Sequence, residues 1–392
     1  MIFMSERSSA LDGLRGVAAV AVVFYHAILD QSASTIAVLD PPAQSLGSFR
    51  DIATKVALTV SNGQSAVLLF FVLSGFVLKL SLARTAGPAW SICCKFIVRR
   101  LCRLYPAVIF CMAFCFVLGV SLTNVPWFAG SPHLAAAADL SSVLVNATLG
   151  RITVQGATWT LQAEVLAIPF VLLAFFIGAR WGIIGTAVCL AISITAIEAP
   201  FLTLSLPNMS AVLFAFMAGV LLADTKASAL NEQAIWIAVA FFLLARLVVP
   251  LHSTTATISQ VMLACCLVYS AYHAKAGLFY DVLNTRTSRF LGRVSFSLYL
   301  LNVPVMWVVG ALIKDIGLSE THPPGDGNHS WSCNNLAHAA ARKLFGNMVR
   351  TGRHQAGAVA DRIARVSGAR SSTGSITTDP AVQSAPQGQI SS

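Results

Sequence analysis

The chain has 392 residues, of which 56% are apolar and 11% charged, with a net charge of +10. An ordinary soluble domain carries about 25% charged residues. At a mean hydropathy of +0.73, too little polar surface exists to cover a water-soluble globule. The cations sit in loops between apolar runs, which is a membrane-topology pattern and excludes a basic face for nucleic acid.

The length accommodates about nine helices at about 20 residues per crossing. The fold class expected is all-α, a polytopic transmembrane helix bundle. Charge-free apolar runs place the spans at residues 13–29, 65–78, 105–122, 160–178, 181–197, 209–223, 235–250, 258–273 and 294–313. The bundle would form one domain over residues 1–318, followed by a polar, low-complexity tail over 319–392. A cleaved leader is a poor reading of the first span. Eight more spans follow it, and Asp12, Arg15 and His26 crowd it.

Span one carries a polar stripe. Arg15 and His26 are eleven residues apart, which returns them to within about 20° of one helix face, about 16 Å apart along the axis. Asp12 lies near that face. Ionisable groups inside apolar spans are costly, so each marks a candidate site. The bland alternative is an interfacial Asp12–Arg15 pair with His26 as a packing residue. Span two holds Phe70-Phe71-Val72-Leu73-Ser74-Gly75-Phe76, which reads as a tightly packed helix with a small-residue contact.

The segment 79–104 follows, with Lys79, Arg84, Lys95, Arg99, Arg100 and Arg103 and no acid. Together with Lys275, Arg286, Arg289 and Arg293 in segment 274–293, it predicts the cytoplasmic side and a cytoplasmic N-terminus. Arg99, Arg100 and Arg103 recur at helical spacing and are expected to converge on one anion, for which arginine forks suit phosphate. Positive-inside anchoring is the bland reading. The poorly charged segment 123–159 is expected to be external.

Trp159-Thr160-Leu161-Gln162-Ala163-Glu164 opens the fourth span, and Glu164 is its only acid. Counted from the span's start, Glu164 falls near the depth of His26, so a His26–Glu164 pair is expected, either catalytic or structural. His133, His252 and His273 read as loop or interfacial residues. The nine cysteines contain no C-x-x-C pair. Neither a disulfide framework nor a metal site is expected.

Five segments in this order resemble the acyltransferase-3 family of integral-membrane O-acyltransferases. They are Leu11-Asp12-Gly13-Leu14-Arg15-Gly16 with His26; Phe71-Val72-Leu73-Ser74-Gly75-Phe76; Arg100-x-x-Arg103 with Pro106; Trp159-Thr160-Leu161 with Glu164; and Gly292-Arg293-Val294-Ser295-Phe296-Ser297-Leu298-Tyr299-Leu300. The resemblance implies ten helices in a bacterial inner membrane. It implies transfer of an acyl group, often acetyl from acetyl-CoA, to hydroxyls of envelope glycans, lipids or small molecules. By position, His26 matches the family's essential histidine, Arg100 and Arg103 its donor-linked arginine pair, and Glu164 the acid of its tryptophan motif.

The mechanism expected joins both readings. Acyl-CoA, a co-substrate rather than a resident cofactor, docks at Arg15, Arg99, Arg100 and Arg103. His26 takes the acceptor's proton with Glu164 orienting its ring. Asp12, Ser74, Trp159, Tyr299 and Asn302 support the site. A covalent acyl-enzyme on Ser74 is disfavoured, since no base lies near it in sequence. The competing classes are a transporter or channel, which should show inverted repeats between halves, and an inactive, truncated relative.

Two departures from the family stand out. Asn302 occupies a position where the family usually has histidine. In place of a tenth helix stands the polar tail. Its Arg353-His354-Gln355-Ala356-Gly357 can be encoded as CGG CAT CAG GCT GGG, which one base later gives the family-like ending Gly-Ile-Arg-Leu-Gly. The tail is therefore read as a frameshift product.

Overall fold

The computed structural model describes residues 3–29, 35, 37–128, 131–226, 230–250 and 253–315. His252, Cys333 and the tail over 319–392 lie outside the described residues. Among those described there is no strand. The helices are α1 (Phe3–Leu29), α2 (Phe49–Ser61), α3 (Gly63–Ala83), α4 (Ala89–Leu122), α5 (Pro132–Ala138), α6 (Leu140–Ala147), α7 (Trp159–Leu166), α8 (Ile168–Thr195), α9 (Met209–Asp224), α10 (Glu232–Val248), α11 (Thr254–His273), α12 (Leu278–Leu283) and α13 (Arg286–Asp315). Six helical stretches are long and apolar enough to cross a membrane. Each of the nine expected spans falls on helical segments, the fourth across the break between α7 and α8.

The fourth span starts on α7 and continues into α8, whose second arm carries the fifth; α8 reverses at Gly182. There the backbone takes φ 62° and ψ −150°, a region open essentially to glycine alone. A Cβ on Gly178 would lie 2.7 Å from Thr186, and one on Gly185 would lie 2.8 Å from the Ile177 carbonyl oxygen. Residues eight apart in one continuous helix are separated by about 12 Å. The two arms are therefore antiparallel. A second sharp turn joins α2 to α3 at Asn62, whose left-handed φ of 38° asparagine tolerates. Asn62 Oδ1 then accepts from Ser65 N at 3.4 Å, capping α3.

Close backbone approach builds the centre. Built Cβ atoms on Gly75 and Gly219 would sit 2.1 Å from the Phe216 carbonyl oxygen and 2.0 Å from that of Val72. The small-residue contact expected on span two is thus the α3–α9 crossing, flanked by Phe71 on Phe216 at 4.8 Å between ring centroids. Gly75→Ala should destabilise the protein by about 1–3 kcal/mol, because helix backbones must separate. Thermal unfolding in detergent checks this, with Gly47→Ala as the silent control, since nothing lies within 4 Å of that Cβ.

Helices α1 and α13 run parallel. Ser9 donates to Asn284, and further along a Cβ on Gly16 would meet the Gly292 nitrogen at 2.5 Å. Carried ten residues on, that register sets His26 level with Asn302.

Two expectations about segments are corrected. The basic run 79–104 is not a loop but mostly helix, because α4 begins at Ala89 and continues unbroken to Leu122. The segment 123–159 is not an external loop. A Cβ on Gly119 would meet the backbone of Ala137 and Ala138 at 2.5 and 2.4 Å, and Tyr105 Oη donates to the Thr148 carbonyl at 3.1 Å. Helices α5 and α6 therefore return along α4 for about 21 Å. Buried amides satisfy the non-helical backbone beyond them. Asn146 Oδ1 accepts from Thr153 N and Val154 N, both at 2.9 Å, and Gln155 Nε2 donates to the Leu300 carbonyl at 2.8 Å. Irregular backbone at this depth is tolerated only when buried in protein in this way.

Candidate active site

The returning stretch delivers Trp159–Glu164 into the bundle, against α3, α4 and α13. There a cavity of about 310 Å³ opens between α1, α3, α4, α7 and α13, at the small end of the roughly 300–1,000 Å³ typical of ligand sites. One side is ionic. Arg100 Nη2 donates to Glu164 Oε2 at 2.6 Å and to Ser74 Oγ at 3.0 Å. Arg15 Nη1 donates to Asp12 Oδ1 at 2.9 Å. Arg103 and Arg293 also line the cavity, and neither has an ion-pair partner among the described residues. Four arginines thus face two carboxylates.

The other side is aromatic. Phe70, Phe71, Phe296 and Tyr299 line it, with Phe70 edge-on to Tyr299 at 6.1 Å. Thr160 Oγ1 donates to Tyr299 Oη at 2.9 Å, and that hydroxyl donates to the Ala157 carbonyl at 3.2 Å. This chain fixes α7 against α13.

The sequence-derived residues divide between wall and surroundings. Asp12, Arg15, Ser74, Arg100, Arg103, Glu164 and Tyr299 come together on the cavity wall. Trp159 does not line it but stands behind, edge-on to Phe71 at 5.8 Å. Arg99 points away and is exposed. The expected convergence of three arginines is therefore corrected. Arg99 lies on another face of α4, while Arg100 is engaged by Glu164 and Ser74. The triplet is replaced by Arg15, Arg100, Arg103 and Arg293. Arg293 was counted as a topology charge and as part of the fifth family-like segment but given no site role, and its spacing gave no sign that α13 would carry it to the cavity. Ser74 has the carboxylate of Glu164 one guanidinium away, which sequence distance hid.

The expected His26–Glu164 pair is not formed. Helix α3 serves as a ruler. A Cβ on Gly63 would meet the ring of Tyr25, the neighbour of His26, at 2.6 Å, whereas Ser74, eleven residues on, meets the Arg100–Glu164 pair. The two layers are about 16 Å apart. Helix α1 gives the same spacing between Arg15 on the cavity and His26. Glu164 lies deeper than expected because the segment before it dips into the bundle. His26 lies outside the cavity, and its buried Nδ1 has no hydrogen-bond partner among the described residues. At the same level Asn302 is buried, with neither side-chain polar atom hydrogen-bonded. His133 stacks on Trp307 at 5.5 Å, and His273 packs against Tyr269 at 4.2 Å.

No curated protein and no solved structure matches the chain significantly. A family model described as an acyltransferase domain matches residues 8–331, which takes in every cavity residue above. With its apolar helices, its buried ionic cavity and this match over most of its length, the chain belongs to the acyltransferase-3 family of multi-pass membrane acyltransferases.

Proposed function

We propose that the protein is an O-acyltransferase of a bacterial inner membrane, moving an acyl group, by default acetyl, from cytoplasmic acyl-CoA to a hydroxyl of an envelope glycan, lipid-linked sugar or small molecule. One observation carries this reading: a cavity at the basic end of the bundle where four arginines face two carboxylates. Phosphates of the donor engage Arg15, Arg103 and Arg293, while Arg100, held by Glu164, keeps the wall in place. The aromatic side accommodates the less polar arm, which reaches toward His26.

At His26 the acceptor hydroxyl gives up its proton to the imidazole as its oxygen attacks the thioester carbonyl. The new C–O bond forms, the C–S bond breaks, and the departing CoA sulfur recovers the proton from His26. In this scheme Glu164 acts at the donor end and does not orient His26. The N-terminus is cytoplasmic, and the acceptor is handled at the opposite face.

Membranes containing the full chain, supplied with acyl-labelled acetyl-CoA, should transfer label to glycan or lipid. Arg293→Gln should raise KM for the donor by about 10- to 100-fold, the worth of one charged hydrogen bond, with Arg99→Gln unchanged. An unchanged KM in both Arg103→Gln and Arg293→Gln would remove the donor from this cavity.

A further inference from the structure

Asn302 on α13 is 6% exposed, and neither polar atom of its side chain has a hydrogen-bond partner among the described residues. A buried amide in that state costs free energy that a leucine of similar size would not. Packing alone therefore does not account for an asparagine here.

Its place in the bundle is informative. Ser295 and Asn302 are seven residues apart, which brings them within about 20° of one face of α13. Ser295 lines the arginine cavity, and so does Tyr299, the last residue of α13 to do so. Asn302 stands about 4.5 Å beyond Tyr299 along the axis. On α1, His26 continues the face of Arg15, which lines the same cavity. Two faces that converge on the cavity thus continue to His26 and Asn302, which the α1–α13 register sets level. The two side chains do not bond each other, since both amide atoms and His26 Nδ1 are without partners. They are left for a third group between them.

The turn that carries Asn302 is held from the side. Pro304 lies inside α13 and has no N–H to return to the Leu300 carbonyl. That carbonyl instead accepts from Gln155 Nε2 at 2.8 Å and from Cys111 Sγ at 3.4 Å. Gln155 Oε1 in turn accepts from Thr158 N at 2.9 Å. The fold supplies a buried amide where a backbone group needs one, and it leaves the Asn302 amide one turn away uncommitted.

We infer that Asn302 is a further catalytic residue, whose Nδ2 donates a hydrogen bond to the thioester carbonyl oxygen of the donor. The assignment rests on His26 as the base. As the acceptor oxygen bonds to the carbonyl carbon, its proton passes to His26 and the carbonyl oxygen becomes negative. The amide N–H stabilises that oxygen without giving up a proton. When the C–S bond breaks, the carbonyl re-forms and the departing sulfur takes the proton from His26. A donor of this kind contributes about 10²- to 10³-fold to kcat.

The test uses membranes containing the full chain, acyl-labelled acetyl-CoA and label recovered in endogenous glycan and lipid. Asn302→Leu removes both polar atoms, and Asn302→Asp keeps the size but replaces the donor with an oxygen. Each should lower kcat by about 10²- to 10³-fold at unchanged donor KM. The unfolding midpoint of Asn302→Leu should stay level or rise, because an unpartnered buried amide is removed. Wild-type kcat in either variant overturns the assignment. If Asn302→Leu does not fold, Asn302→Asp decides alone, and loss of fold in both assigns Asn302 to packing and overturns it too. His26→Ala, measured beside them, separates the two readings. Wild-type turnover there with slow Asn302 variants removes the base and leaves the amide acting on the carbonyl. Slow His26→Ala with wild-type Asn302→Leu removes the amide and leaves the base.

Discussion

Glu164→Ala should destabilise the folded protein by about 3–5 kcal/mol, the cost of breaking a buried pair by removing one partner. The carboxylate is 18% exposed and the Arg100 side chain 8%, at 2.6 Å. The same guanidinium nitrogen donates to Ser74. Without Glu164 a buried positive charge keeps only a hydroxyl as acceptor. Arg100→Ala should cost a similar amount, since it strands the carboxylate. The double variant should lose less than the two single losses together, because neither charge remains to be stranded. Glu164→Gln retains an acceptor oxygen and should fall between wild type and Glu164→Ala. Thermal unfolding of the four proteins in one detergent gives the cycle directly. Additive losses would mean that the two side chains act independently, and the pair would then not be what holds α7 against α4.

Activity should separate these variants further. The pair lines the proposed donor cavity, so Glu164→Gln can fold and still bind acyl-CoA less well, as Arg100 loses its charged anchor. A rise in donor KM without a comparable fall in kcat is the expected pattern. The reverse pattern, kcat falling at constant KM, would assign Glu164 to the chemical step and not to donor placement.

The helices were legible because a membrane span must be apolar over most of a crossing, and nine charge-free runs, several of them shorter than a full crossing, marked where the helices lie. What the runs did not reveal is where helices extend beyond the hydrocarbon. Helix α4 continues through Arg99, Arg100 and Arg103 because arginine is a good helix former, and the apolar-run rule measures membrane thickness rather than helix length. The returning segment was hidden for a different reason. Helices α5 and α6 are only seven and eight residues long, too short to read as a crossing. The amides that satisfy the backbone beyond them, Asn146 and Gln155, look like loop residues until their partners are seen.

The site was legible residue by residue but not in depth. Asp12, Arg15, Ser74, Arg100, Arg103, Glu164 and Tyr299 do meet, because charges and hydroxyls in apolar helices have few places to go except one another. Their vertical order depended on where residue 160 enters the bundle, and that depends on the returning segment. Hence Glu164 was matched to His26, when its partner is an arginine one layer away. Arg293 shows the complementary failure. A cation near a span end obeys the positive-inside bias whether or not it faces a cavity, so its charge alone did not mark it as a site residue, although it stands in a family-like segment.

His26→Ala should abolish acyl transfer while leaving the fold and donor binding intact. Positioned general acid–base groups contribute about 10²- to 10⁴-fold, and kcat should fall by that factor. Donor affinity should not change, because His26 lies outside the arginine cavity, about 16 Å beyond Arg15 along α1. The unfolding midpoint should move little, since the buried Nδ1 has no hydrogen-bond partner among the described residues and its removal strands no polar group. This combination distinguishes a base from a packing residue, for which stability would fall and turnover would follow it. It also separates His26 from the ionic wall, where Glu164→Ala is expected to lose stability first. Measured together on one membrane preparation, kcat, CoA affinity and unfolding midpoint assign each layer its role. If His26→Ala transferred acyl groups at the wild-type rate, the acceptor chemistry would have to lie at the cavity itself, with Ser74 and Glu164 as the groups within reach.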